Sequence, residues 1–213
     1  MRIYLTEFIG TFFLTLTIGL AVISGTPFAP IVIGAGLMVM VYMGGHVSGA
    51  HYTPAVTLAV CLRGRLPGAR VVPYWASQLL GALAAALVTR VMTGHSIAPS
   101  PAPGATLLQV MLAEILFTFS LVLVVLNVAT AKATEGNSYY GLAIGSAVMV
   151  GAYAAGPISG GGFNPAVGIG LTVVATLFGE PALGHLWHYL VGPMAGGALA
   201  VLAFRVQHAD VAA

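Results

Sequence analysis

The chain has 213 residues, 59% of them hydrophobic and only 6% charged, with a formal net charge of +2. A soluble domain carries about 25% charged residues, so this composition excludes a water-facing surface and points to an all-α integral membrane protein in a lipid bilayer. So few basic residues leave no footprint for a nucleic acid, and the single cysteine, Cys61, excludes an internal disulfide.

The N-terminal run "MRIYLTEFIGTFFLTLTIGLAVISG" has the charge-then-apolar form of a signal peptide. Glu7 inside the run, and the repeat described below, favour a retained first spanning helix instead. A spanning helix needs about 20 predominantly apolar residues. Six segments qualify: 3–24, 30–46, 70–92, 107–129, 139–156 and 183–205. The second and fifth are short and contain glycine. Each is followed by an apolar stretch too short to cross, Pro54–Leu62 and Pro165–Thr176. Arg2, Arg63, Arg65, Arg70, Lys132 and Arg205 all fall on one side of such a topology, and only Arg90 on the other. The positive-inside rule therefore puts both termini in the cytoplasm.

"SGAHYTPAV" (48–56) aligns with "SGGGFNPAV" (159–167) at a constant offset of 111 residues. Upstream, "TEFIGTF" resembles "AEILFTF"; downstream, "YWASQLLGALAAAL" resembles "YLVGPMAGGALAVL". The chain reads as one channel domain made of two three-helix copies, 1–92 and 107–213, joined by a Pro-rich connector, 93–106. Three is odd, so the second copy enters from the opposite face, giving an inverted repeat of the kind common among transport proteins. The short segments then dip to the midplane as half-helices, where irregular backbone is tolerated only if buried or lining a wet cavity.

Thr53-Pro54-Ala55 and Asn164-Pro165-Ala166 are helix starts. Proline at the first helical position loses no hydrogen bond, and threonine or asparagine before it caps the helix. Two such starts meeting head to head aim two positive dipole ends at one point. A site of that kind repels cations and orients small neutral polar molecules.

These residues resemble the aquaporin (major intrinsic protein) family over nearly the whole chain: six spans, two half-helices, paired motifs, and Glu7 and Glu114 at matching positions. The resemblance implies a homotetramer with one pore per subunit. It also implies that Glu7 and Glu114 accept hydrogen bonds from the re-entrant loop backbones. Two departures stand out. Threonine replaces asparagine in the first motif, offering one hydroxyl instead of an amide. Val167 occupies the position where most members carry the arginine of the outer constriction. The other three constriction positions map to Ile33, Ala152 and Gly161, so the set lacks charge and aromatic rings. Some bacterial relatives with valine there are associated with arsenic resistance.

The preferred reading is a passive channel for small uncharged solutes (water, polyols, arsenous acid) in a bacterial inner membrane. A secondary active transporter and a closed, structural membrane protein stay open as alternatives. His51 is expected to bond loop backbone near the cytoplasmic mouth, and His46 with His51 makes a poor metal site. His185 and His188 read as interfacial, His95 and His208 as solvated. Cys61 reads as a packing residue, or alternatively as a thiol that binds mercurials or trivalent arsenic and blocks the pore. The connector reads as a semi-rigid surface linker. No paired catalytic carboxylates, nucleophile triad or phosphate loop is present to support an enzyme, and no motif calls for a cofactor.

Overall fold

The computed structural model describes residues 1–209, and no strand occurs among them. Nine α-helices follow in order: α1 (Arg2–Ile23), α2 (Ala29–Ser48), α3 (Pro54–Leu62), α4 (Val71–Thr93), α5 (Leu107–Thr130), α6 (Tyr140–Ala154), α7 (Gly156–Ser159), α8 (Pro165–Leu177) and α9 (His188–Gln207). By length and composition five are able to cross a membrane: α1, α2, α5, and α4 and α9 with the 3-10 turns that precede them.

The fifth expected span, 139–156, takes a different form. It is a 15-residue helix, α6, followed after Ala155 by the 4-residue α7. Pro157 explains the break: it has no N–H to donate to the Tyr153 carbonyl, and its ring crowds that carbonyl. Ala155 accordingly leaves helical geometry, with φ −120°. From Tyr140 to Ser159 the broken pair still covers the register of α2 shifted by 111 residues.

Close helix crossings occur at glycines, as packing without a hydrophobic drive between helices requires. A Cβ on Gly34 would lie 2.6 Å from the Gly145 carbonyl oxygen, and one on Gly145 would lie 2.4 Å from that of Gly34. These glycines are repeat partners, so α2 and α6 meet each other where the two halves are related. The same device recurs within each half. Gly81 of α4 sits against the Phe8 carbonyl of α1, and Gly196 of α9 against the Ile115 carbonyl of α5. Large apolar side chains such as Leu80, Leu108 and Leu202 are left exposed on the outside of the bundle.

The connector does more than link the halves. The Ala102 N–H donates to the Ile158 carbonyl at 3.0 Å. A Cβ on Gly160 would meet the Ser100 backbone nitrogen at 2.5 Å. The segment expected to be a surface linker therefore packs on the loop that follows α7.

Candidate functional site

Each re-entrant loop is folded around one glutamate. In the first, Glu7 accepts from the Ser48 hydroxyl (2.6 Å), the His51 N–H (3.0 Å), the Tyr52 N–H (2.8 Å) and the Gln78 amide (2.8 Å). In the second, Glu114 accepts from the Ser159 hydroxyl (2.7 Å), the Gly162 N–H (3.0 Å) and the Phe163 N–H (2.7 Å). Tyr74 and Tyr189 donate to the carbonyls of Ser48 and Ser159. Both glutamates are fully buried, where such a group needs this many donors to be tolerated.

The loop backbones are bent to suit. Gly49 and Gly160 have φ 86° and 90°, Ala50 and Gly161 have φ 50° and 67°, and Tyr52 and Phe163 have φ 51° and 42°. A left-handed conformation in a non-glycine residue costs about 1–2 kcal/mol, and here it turns successive N–H groups inward as a nest for the carboxylate. The carbonyls of Ala50, His51, Gly160, Gly161 and Gly162 accept no hydrogen bond from the described residues.

Thr53 and Asn164 are extended and cap α3 and α8. The Ala55 N–H donates to Thr53 Oγ1 at 3.4 Å, and the Ala166 N–H donates to Asn164 Oδ1 at 3.0 Å. The two tips touch: Asn164 Nδ2 donates to the Tyr52 carbonyl at 2.9 Å. The mirror bond, from residue 53 to the Phe163 carbonyl, is missing because threonine has no amide. Thr118 Oγ1 of α5 takes that acceptor instead, at 3.3 Å. Pro54, Ala55, Pro165 and Ala166 are buried behind the tips.

A cavity of about 310 Å³, called the outer cavity after the outer constriction that the family resemblance implies, lies on one side of the tips, and Ile33, Ala152, Gly161 and Val167 all line it together with Thr53 and Asn164. Among the described residues no Asp, Glu, Lys or Arg side chain reaches this lining. A second cavity of about 760 Å³ opens on the side of the α3–α4 and α5–α6 links. His51, Val125 and Ile144 line both, so the cavities meet at these residues.

Sequence reasoning missed part of the lining. Ile144 and Val148 are the repeat partners of Ile33 and Leu37, and Leu121 and Val125 those of Leu14 and Ile18; all eight line the outer cavity. Applying the repeat offset to Ile33, then stepping one helical turn, would have found the α2 and α6 pairs. Gly156 and Pro157 join them because the break in α6 brings them inward.

Other expectations are corrected. The His51 ring does not bond loop backbone; its Nδ1 pairs with Thr57 Oγ1 of α3 at 3.1 Å, and Thr57 also accepts from Gln78 at 2.9 Å. Cys61 is half-buried and lines neither cavity, so a blocking role has no geometric basis. His208 is not simply solvated: it pairs with Asn127 at 3.0 Å and its ring lies 4.2 Å from that of Phe204. Among the described residues no three potential metal ligands cluster.

Comparisons with known proteins bear on the family and the fold. The family model of major intrinsic proteins matches residues 1–204. Aquaporin NIP1-4 of Oryza sativa subsp. japonica is 38% identical over 216 residues, covering 97% of this chain and 77% of that protein. Aquaporin NIP1-1 of the same plant is 38% identical over 182 residues, covering 84% of this chain and 62% of that protein, so the chain spans less than two thirds of this relative. Among solved structures, the aquaglyceroporin from Plasmodium falciparum superposes with a TM-score of 0.83 at 20% identity, covering 94% of this chain and 93% of that one. An FNT family ion channel superposes with a TM-score of 0.62 at 16% identity, covering 99% and 89%. At such identities the structural likenesses speak for the fold alone. The family match over nearly the full chain carries the conclusion: this protein belongs to the major intrinsic protein family, and it is a multi-pass membrane channel, not an enzyme.

Proposed function

We propose that the chain is a passive channel whose outer constriction, formed by Ile33, Ala152, Gly161 and Val167, is wide and apolar. It passes small uncharged solutes larger than water, among them polyols such as glycerol and trivalent metalloid hydroxides such as arsenous acid. The observation that carries this reading is the lining of the outer cavity: an uncharged side-chain wall faced by loop residues whose carbonyls are free to accept. The apolar wall itself offers a solute no hydrogen-bond partner. A polyol keeps its carbon side against that wall while its hydroxyls donate to the carbonyls, and arsenous acid offers hydroxyl donors in the same way.

Passive flux is favoured over coupled transport by the state of the two buried acids. Glu7 and Glu114 are occupied by loop donors and line neither cavity, which leaves no carboxylate on the cavity walls near the tips for a coupling ion among the described residues. The aquaporin relatives support a neutral-solute channel. The family resemblance supports a homotetramer, and the basic residues support cytoplasmic termini. Residence in a bacterial inner membrane rests on the resemblance of Val167 to the valine of some bacterial family members.

The test is a stopped-flow panel on proteoliposomes with water, glycerol, urea and arsenous acid. Uptake of glycerol and arsenous acid well above that of empty liposomes is expected. Rates equal to empty liposomes for both would refute the reading, and accumulation against a gradient on imposing a proton gradient would favour coupled transport.

A further inference from the structure

The outer cavity carries no charged side chain, yet the cavity on the other side does. Arg65 and Arg70, from the link between α3 and α4, and Lys132, from the link between α5 and α6, line the inner cavity together with one acid, Glu135. The other titratable side chains on that wall are His46, His51, Tyr74 and Tyr140. Among the described residues, three fixed positive charges thus face one negative charge in a space of about 760 Å³ that adjoins the outer cavity at His51, Val125 and Ile144. All four charged side chains are exposed to the solution filling it.

A cleft lined by one sign of charge, with low-dielectric walls, focuses its field and changes the local concentration of ions by a factor of about 10 to 1,000. Every ion crossing the pore passes through this cleft, so its field acts in series with the dipoles of α3 and α8. With valine at 167, no charged side chain performs this task in the outer cavity. We infer that the inner vestibule, through Arg65, Arg70 and Lys132, is the charge filter of this channel. It excludes cations from the narrow passage while leaving neutral solutes unaffected. This rests on the channel reading given above.

Urea and guanidinium test the inference because they share a planar shape and differ in charge. Their fluxes at millimolar concentration are compared in proteoliposomes of the wild type and of R65Q/R70Q/K132Q. At roughly 10 mM ionic strength, where the Debye length is about 30 Å, the ratio of guanidinium to urea flux is expected to rise about tenfold in the variant. At roughly 1 M salt, where that length is about 3 Å, the two proteins are expected to agree. The control R63Q/R205Q removes two basic residues that do not line the cavity, and its ratio is expected to match the wild type. An unchanged ratio at low salt, a rise that persists at high salt, or an equal rise in the control would each overturn the inference. Urea flux serves as the check on folding; if the triple variant fails it, R65Q/K132Q is read in the same way with a smaller rise. Failure of the wild type to pass urea, glycerol and arsenous acid above empty liposomes would instead overturn the channel reading.

Discussion

Alanine at Gly160 should destabilise the protein through two separable effects. Gly160 has φ +90°, which a residue with a Cβ adopts only with strain, worth about 1–2 kcal/mol. The new Cβ would also lie 2.5 Å from the backbone nitrogen and 2.6 Å from the carbonyl oxygen of Ser100. Backbone cannot swing aside as a side chain does, so overpacking adds about 1–3 kcal/mol. Gly104, in the same connector, isolates the first effect: its φ is +80° and nothing lies within 4 Å of a Cβ there. G104A should therefore show the strain alone, and G160A the strain plus the collision. On the scale of soluble domains of this size, where 1 kcal/mol shifts Tm by about 2–4 °C, G160A should melt roughly 2–12 °C below G104A. Thermal unfolding in detergent, followed by the fluorescence of Trp75 and Trp187, measures the difference. Equal melting of the two variants would show that the connector does not bear on the second re-entrant loop.

Two further substitutions probe the loop supports. Thr53→Asn would supply an amide able to donate to the Phe163 carbonyl, which among the described residues accepts from Thr118 alone, at 3.3 Å; a gain of about 0.5–1.5 kcal/mol is expected, read as a higher Tm, and a fall in Tm would count against the tip geometry. Tyr74→Phe and Tyr189→Phe each remove the hydroxyl that serves a buried loop carbonyl. Each should cost about 1–3 kcal/mol, by similar amounts in the two halves, and melting curves that match the wild type for either would contradict the support role.

Much of the fold was legible because the chain states it twice. The 111-residue offset between Ser48 and Ser159 carries into the structure as matching φ angles and matching glutamate bonds. The half-helix starts were legible because a cap residue and a following proline are local signals. The break in α6 was within reach, since Pro157 declares it, but the apolar run around it hid the interruption. The contact between Ser100 and Gly160 was out of reach: it joins segments distant in sequence through backbone alone, and no side-chain pattern marks it. The Thr57–Gln78 pairing around His51 likewise has no counterpart in the second half, where Pro193 stands at the position matching Gln78, so the repeat gave no cue. The outer lining was legible at Ile33, Ala152, Gly161 and Val167 only by resemblance. Its other half, Leu121 through Val148, needed the repeat and helix period together.

The central claim is that the uncharged ring containing Val167 decides which solutes pass. Its most direct measurement compares glycerol and water permeability of the wild type and V167R in the same proteoliposome preparation. The buried Val167 side chain lies on the outer cavity wall, so an arginine there should narrow the passage. The account predicts that glycerol flux falls about tenfold or more, a loss of about 1.4 kcal/mol in the barrier, while water flux persists. Glycerol and water fluxes that keep their wild-type ratio in V167R would contradict it.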